Sequence, residues 1–571
     1  MLTERSTAKE ALWRHRYGVV AALDWVVCLR YAAWFFMALG TALRVLEYVA
    51  NRSLSIDESY LALNLIEKSP SELYRGLDFN QAAPIGFLEA EKLTIAIFGR
   101  DEYALRLLPL LASILAMLVF YRVAQKLLPP LAATTAVAAF ALLDPLVYYS
   151  ATAKQYAFDL AGGVVILALA LVLEGRPLRR LDLLALTAFG GVLVWFSHAS
   201  VFVLAGFGVL LAIRFIGDRD WKSTAALLAM IGLWAASFAF EFLLSRSNLT
   251  RILDSFGAGD DAVLTPGQGG ASWFDRATDR LRYLFGLEDT ASGQPILGSL
   301  PSGVNQGLTV MILIVVAVGF VSLLGRRPQI ALLLAIPPVF AVLASAQEQY
   351  PLVGRTLLFV LPSVALCIGE GAQVLLSAAT RRSLTPIAAA AVACSLAVIA
   401  ILPAIHALHP RKNQEMKQAL KYLGLHHRRG DTLYVSMQAQ YALAYYHLCG
   451  CSSFDARAVW PFSITPGGGD GRVHALETRS PKLIIEGSPP AHDVRSAVTN
   501  SLIGRARVWV LFAEAPDYEK KPLLDDLDRY GRRLQHYRAS SRSSTAASLY
   551  LYDLRGRATK TTRNNAAPGG A

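Results

Sequence analysis

Ser55-Ile56-Asp57-Glu58-Ser59-Tyr60 is the stretch on which the reading of this chain turns. It lies a few residues past the first long apolar segment, so two adjacent carboxylates stand at a membrane border, outside any charge run. A local account of them is available: Ser55 caps a helix, and acids in the first turn face the positive end of its dipole. A functional account asks for a carboxylate at the membrane surface that takes a proton from an acceptor hydroxyl, its basicity raised by partial burial. The choice depends on which side of the membrane the pair faces and on what meets it there.

Composition supplies the membrane. Of 571 residues, 54% are hydrophobic and 17% are charged, and the mean hydropathy is +0.39. Soluble domains carry about 25% charged residues, so the chain reads as an integral membrane protein. The formal net charge of +12 does not point to nucleic acid, because no basic stripe carries interleaved aromatics. Lys and Arg gathered in inner loops explain it. Residues 1–23 show no small-residue cleavage site and lead into a long apolar stretch, which reads as an uncleaved first transmembrane helix. Cys28, Cys367 and Cys394 lie in apolar segments, as small buried hydrophobes do. Cys449 and Cys451 form a C-x-C with no second pair or His-x-His partner, weak support for zinc. A bond between the two is expected to be strained, whereas a link to another cysteine would suit an extracytoplasmic region.

Apolar windows near the roughly 20 residues needed to span a bilayer recur at 24–47, 104–123, 131–148, 157–174, 182–197, 200–216, 224–244, 304–324, 329–346, 355–378 and 384–405, about eleven helices. With the N-terminus inside, the inner segments hold Arg5, Lys9, Arg14 and Arg16; Arg122 and Lys126; Arg176, Arg179 and Arg180; Arg214, Arg219 and Lys222; Arg326 and Arg327; and Arg381 and Arg382. Every short inner loop is then basic, as the positive-inside tendency requires. The outer face receives the loop 48–103, the turns near 149–156 and 197–200, the loop 245–303 and the stretch 347–355. An odd helix count also sends residues 406–571 outside.

These outer segments carry structure of their own. Tyr60, Leu61, Leu63, Leu65 and Ile66 predict an amphipathic helix that starts at the carboxylate pair and lies along the membrane surface. After Pro84 a second helix is expected over 85–97, ending at Gly99. The loop 245–303 is rich in Gly, Asp, Ser and Thr around 257–270, and reads equally as a flexible connection or as a lid. Residues 406–556 predict a small α/β domain. Its strands are expected at 433–435, 483–485, 508–511 and 549–552, with helices at 412–424, 439–448 and 518–530 between them. The basic Gly/Ala/Asn-rich tail 557–571 reads as disordered. There is no internal repeat, P-loop or dinucleotide-binding glycine pattern.

The polar residues assigned to the outer face are the candidates for chemistry. Lys154-Gln155-Tyr156 follows Tyr148-Tyr149, where a lysine could simply snorkel beside an aromatic belt. Tyr350-Pro351-Leu352-Val353-Gly354-Arg355 places an arginine outside, against the usual charge bias. Lys154 and Arg355 are the kind of pair that holds a phosphate. His198 lies between two helices at the same depth, where an interfacial histidine with ordinary partners is the plainer account. Most helix interiors read as clean of charge, unlike those of a transporter, which carries ionisable groups at midplane.

The combination resembles a family. The Asp57-Glu58 pair after the first helix, Asn80-Gln81-Ala82-Ala83-Pro84, and Phe98-Gly99-Arg100-Asp101-Glu102-Tyr103-Ala104-Leu105-Arg106-Leu107-Leu108-Pro109 are similar to GT-C membrane glycosyltransferases. More narrowly they resemble the bacterial glycosyltransferase family 39 group, kin to protein O-mannosyltransferases and lipid A aminoarabinose transferases. Tyr148-Tyr149-Ser150 leading to Lys154-Gln155-Tyr156, and Tyr350-Pro351 leading to Gly354-Arg355, add to the likeness, which covers roughly residues 20–380. The resemblance implies a polyprenyl-phosphate sugar donor, used on the periplasmic face with inversion at the anomeric carbon. It implies Asp57 as the catalytic carboxylate with Glu58 supporting it, and Lys154 and Arg355 on the donor phosphate. Gln81, Glu102, Tyr156, His198 and Tyr350 are expected around the same pocket. Some relatives carry an acidic-basic pair where this chain has Asn80-Gln81, with Asp78 just upstream. A divalent metal held by Asp57 and Asp78 is therefore left open, and no other cofactor is implied.

The expectation is a polytopic α-helical protein of the bacterial inner membrane, 1–405, with a cytoplasmic N-terminus and a periplasmic α/β domain, 406–556. It would be an inverting glycosyltransferase, moving a hexose or pentose from a polyprenyl-phosphate donor to a lipid, glycan or protein acceptor. Its partners would be the donor and the surrounding lipids. The competing reading is a non-enzymatic transporter or flippase of a lipid-linked sugar.

Overall fold

In lipid every backbone N–H and C=O needs an internal partner, so apolar runs become helices and break only where the sequence withholds or replaces a bond. The computed structural model describes residues 2–255, 280–285 and 302–381, most of 390–451 and of 499–555, and residues 462–463, 477–478 and 483–485. Helices α1 (Leu2–Val49), α2 (Ile56–Glu67), α3 (Pro70–Leu73), α4 (Ile85–Phe98), α5 (Glu102–Leu127), α6 (Pro130–Leu142) and α7 (Asp144–Tyr148) come first. They are followed by α8 (Tyr156–Leu173), α9 (Arg180–Leu193), α10 (Ser200–Gly217) and α11 (Trp221–Ser255). Helices Ser302–Arg326, Pro328–Ala346 and Leu361–Arg381 complete the helical half, the last entered through the 3-10 turn Gly354–Val360.

Among the described residues eight helices are long and apolar enough to cross a membrane, or nine if α6 and α7 count as one broken span bent by 57°. The expected single helix at 131–148 is this broken pair. Pro145 has no N–H to give the Ala141 carbonyl. Arg44 of α1 replaces the missing donor: it reaches the carbonyls of Ala141 and Phe140 at 3.3 Å each, that of Gly40 at 2.8 Å, and Ser113 Oγ at 2.9 Å. The expected helix at 182–197 is α9, with 14 residues. At 1.5 Å per residue it is about 21 Å long, short of the roughly 30 Å hydrocarbon core. Most of the expected helix at 384–405, most of the loop 245–303 and the tail 557–571 lie outside the described residues.

The loops expected inside converge on one end of the bundle. Lys126 donates to the Leu171 carbonyl, and Arg214 donates to those of Leu173 (2.9 Å) and Arg176 (2.5 Å). Arg327 pairs with Glu174 at 2.8 Å and Arg326 with Glu370 at 2.6 Å. The bundle is tight where glycines allow it. A Cβ on Gly319 would overlap the Cys367 carbonyl and one on Gly371 that of Val315, so helices Ser302–Arg326 and Leu361–Arg381 meet backbone to backbone.

At the other end the chain builds outward. Helix α4 runs to Phe98 as expected and stops at Gly99, whose φ of 104° a residue with a Cβ would resist. Helix α2 corrects the expectation of a helix lying on lipid. Leu61, Leu63, Leu65 and Ile66 are buried in a core shared with Leu433, Tyr445, Tyr446 and Trp509, so protein covers this apolar face. The covering domain is a five-stranded sheet of order β4-β1-β5-β7-β6, with a separate antiparallel pair, β2 (Phe462–Ser463) and β3 (Glu477–Thr478). Strand β1 (Thr432–Val435) runs parallel to β4 (Leu483–Ile485) and to β5 (Val508–Phe512), with Leu433 opposite Trp509. Strand β7 (Ser548–Asp553) pairs antiparallel with β5 and with β6 (Arg532–Arg538).

Period-two alternation splits the sheet into faces. Leu433, Val435, Trp509, Leu511, Leu549 and Leu551 face helices Met416–His426 and Ala439–Leu448 and, through them, α2. Tyr434, Val508, Val510, Phe512 and Tyr552 face Leu523, Leu524 and Leu527 of helix Asp517–Tyr530. The four expected strands form. Strand β6 was not expected, because RRLQHYR has no apolar alternation; it is a mostly exposed edge strand, and charges suit an edge. One expectation about cysteine is corrected: Cys449 and Cys451 are disulfide-bonded to each other. Gly450 between them has φ 68°, and the turn it allows brings the two Cα atoms to 5.2 Å, inside the usual range.

Candidate active site

The first turn of α2 sends its two acids in different directions. Ser55 and Glu58 form the capping box: Glu58 N donates to Ser55 Oγ at 3.3 Å, and Ser55 N donates to Glu58 Oε2 at 3.0 Å. The same carboxylate receives Arg106 Nε and Nη2 of α5 at 3.0 and 3.1 Å, and Ala153 N at 3.0 Å. Glu58 is fully buried. Burial pushes its carboxyl upward, but the Arg106 and Arg52 charges and the bonds from Arg106 and Ser55 outweigh that and hold it at about 2. Glu58, expected to support Asp57, joins α2, α5 and the residue before Lys154. It does not line the cavity described below.

Asp57 is one position earlier, about 100° around the helix, and its side chain is 37% exposed. Its Oδ2 accepts from Arg355 Nη1 at 2.7 Å. Arg355 is the second residue of the 3-10 turn, and Gly354, which opens it, is bare because the Tyr283 ring fills the place of a Cβ. Lys154 sits between the 3-10 turn Tyr149–Ala151 and α8, and is buried. Its Nζ donates to Gln81 Oε1 at 2.5 Å. Phe79 and Asn80, with φ of 63° and 50°, turn the loop so that Gln81 reaches inward; Gln81 Nε2 donates to the Phe79 carbonyl at 3.2 Å. Burial lowers the Lys154 ammonium to about 8, with Asp57 opposing the shift and Arg355 adding to it.

These groups share a cavity of about 410 Å³. Asp57, Gln81, Lys154, Tyr156, His198, Tyr350 and Arg355 all line it, and Val201, Phe202, Phe238 and Phe242 give it an apolar flank. Tyr350 is fixed by its hydroxyl, which donates to the Thr356 carbonyl at 2.8 Å, and by Phe202, edge-on at 4.9 Å. Besides Glu58, two candidates are elsewhere. Glu102 is buried at the junction with the sheet domain, accepting from Tyr446 Oη at 2.8 Å and pairing with Lys417 at 3.0 Å. Asp78 pairs with Lys68 at 3.0 Å. Asp57 and Asp78 are each turned to a cation and do not converge. Among the described residues no three His, Cys, Asp or Glu side chains group as metal ligands, so the donor set does not fit the metal that was left open.

Two buried acids were missed. Asp159 lines the cavity one turn beyond Tyr156 on α8. Glu241 of α11 stands behind His198, whose Nε2 is 3.0 Å from each of its oxygens, and also accepts from Ser245 Oγ at 2.8 Å. Each is a lone acid in a long apolar run, and that is the signal by which such residues can be found.

No protein-family model and no curated protein sequence matches the chain. Among solved structures it is similar to ArnT from Cupriavidus metallidurans in the apo state, at 13% identity over 94% of this chain and 99% of that one, with a TM-score of 0.48. It is also similar to the same protein bound to undecaprenyl phosphate, at 14% identity over 93% and 98%, with a TM-score of 0.48. The archaeal oligosaccharyltransferase AglB from Archaeoglobus fulgidus, in complex with an inhibitory peptide and a dolichol-phosphate, is similar at 12% identity over 92% and 74%, with a TM-score of 0.46.

Proposed function

We propose that the chain is an inverting glycosyltransferase that takes a sugar from a polyprenyl-phosphate donor at the outer face of the inner membrane. The observation that carries this reading is the convergence of one half-exposed carboxylate and two cations, from three distant parts of the chain, on a single cavity with an apolar flank. Lys154 and Arg355 hold the donor phosphate, and the apolar flank takes the first isoprene units. Asp57 removes the proton from the acceptor hydroxyl as its oxygen attacks the anomeric carbon. The bond from that carbon to the phosphate oxygen breaks, the electron pair leaves on the phosphate, and the two cations stabilise the departing charge. In-line attack opposite the leaving group inverts the anomeric centre.

The 2.7 Å bond between Asp57 and Arg355 sets the proposed base directly beside a proposed phosphate ligand. A phosphate competes for the guanidinium, and its arrival frees Asp57 to act as base. Base and phosphate ligand thus neutralise one another until a donor is bound.

The test is Asp57→Asn in native membranes supplied with a polyprenyl-phosphate sugar, reading both sugar transfer and donor binding. Transfer is expected to stop while binding persists. Undiminished transfer would remove Asp57 as the base. If the variant still moves the intact sugar lipid across the membrane, a flippase becomes the reading.

A further inference from the structure

Asp159 holds a hydrogen-bonding capacity that the reaction above does not use. Its side chain lines the cavity, and the residue is 5% exposed. The Ser197 hydroxyl bonds its carboxyl, yet Oδ1, itself enclosed against the cavity wall, has no hydrogen-bond partner. A buried carboxylate oxygen left unanswered costs the full loss of its hydration, and within a membrane segment such a group marks a ligand site more often than a packing accident. The surroundings rule out most ligands. An isoprenoid tail has no donor to offer, and a phosphate diester has neither a donor nor a tolerable charge beside a carboxylate. A sugar has several hydroxyl donors.

Position agrees with that choice. Asp159 is three residues from Tyr156, on the same face of α8 and about 4.5 Å along its axis, a distance a sugar ring bridges. Tyr156 and Arg355 line the same cavity. Beside Asp159 stands His198, another wall residue, its Nε2 fixed by the buried Glu241. The cavity therefore has a cationic pole for phosphate and a second polar pole that accepts hydrogen bonds.

We propose that Asp159 reads the donor's sugar, its carboxyl turning so that the unpartnered oxygen accepts from a sugar hydroxyl, with the Glu241-anchored His198 bounding the same subsite. This rests on the reading of the cavity as a glycosyl-donor site. The test measures binding to the full-length protein in nanodiscs. The probes are unglycosylated polyprenyl phosphate and its glucosyl, mannosyl, galactosyl and arabinosyl derivatives, with Asp159→Asn and Asp159→Leu as variants. Wild type is expected to prefer one sugar lipid. Asp159→Leu should cut that lipid's affinity about tenfold or more and leave polyprenyl phosphate unchanged, and the near-isosteric Asp159→Asn should give a smaller loss in the same direction. Equal losses for sugar-bearing and sugar-free lipids would overturn the proposal, as would no loss for either. Unchanged sugar-lipid binding with reduced transfer would assign Asp159 to the acceptor and overturn it too. Wild type that binds neither class of lipid would instead defeat the donor-site reading beneath it.

Discussion

Two faces of a single helical turn do opposite work in this protein. Asp57 and Glu58 are neighbours, each bonded to an arginine, at 2.7 Å and 3.0 Å. On the inward face Glu58 and Arg106 are sealed from solvent, and every oxygen of the carboxylate is engaged twice. On the cavity face Asp57 and Arg355 are each more than a third exposed and share a single hydrogen bond. The first pair has nothing to exchange and holds the loop still. The second has an open side, from which a competing anion can reach the arginine. Charge and residue type do not distinguish the two acids here; the number of bonds and access to the cavity do.

The comparison can be broken at either pair. The largest expected effect is Asp57→Asn, which should reduce sugar transfer by roughly 10²–10⁴-fold, the usual contribution of a positioned base, with folding intact. Next is Glu58→Gln, which strands the buried Arg106 charge and should cost about 3–5 kcal/mol of stability, read as a lowered midpoint of thermal unfolding in detergent. If Glu58→Gln instead left stability untouched and removed transfer, the two acids would have exchanged roles.

Smaller effects test the cavity's cations. Lys154→Ala and Arg355→Ala each lose a charge-assisted contact and should weaken donor binding by about 10–100-fold, measured with a polyprenyl-phosphate sugar. Undiminished binding in both would remove the phosphate assignment. The smallest effect is in pH. With its ammonium lowered to about 8 by burial, Lys154 is charged below that value and neutral above it. Donor affinity should be full at lower pH and decline as pH rises through about 8. A phosphodiester donor keeps its single charge over that range, and Lys154→Arg should flatten the profile. A decline that survives Lys154→Arg would come from another group.

How much of this was legible differs by residue. The capping box was readable, because Ser55 and Glu58 are three apart and act locally. Lys154 and Arg355 were readable as candidate partners once the loops had been assigned by charge, and one cavity holds both. Asp159 and Glu241 were not read, because one acid among long apolar runs barely changes a window's hydropathy. The reading that most helix interiors are clean of charge passed over Arg44, Asp144, Asp159, Glu241 and Glu370, all buried in helices, for the same reason. The covering of α2 was out of reach for a different reason. Leu61 and Leu63 show the period of a surface helix whether lipid or protein meets them, and their partners Tyr445 and Tyr446 lie far along the chain.

That covering has a consequence for how the protein is made. The Leu54 N–H that precedes the cap donates to Tyr446 Oη at 3.1 Å, and Lys417 N donates to Ser53 Oγ at 3.2 Å. The strap leading into Asp57 is therefore held by residues synthesised long after it. At 5–20 residues per second the ribosome needs roughly 20–80 s to go from Asp57 to Tyr446. During that interval α2 has emerged and its partners have not. The nascent chain can insert most of its helices, yet the acid is seated only when the last third arrives and docks. A truncated or stalled product would thus be a membrane protein whose Asp57 loop lacks the contacts from Tyr446 and Lys417 that hold it.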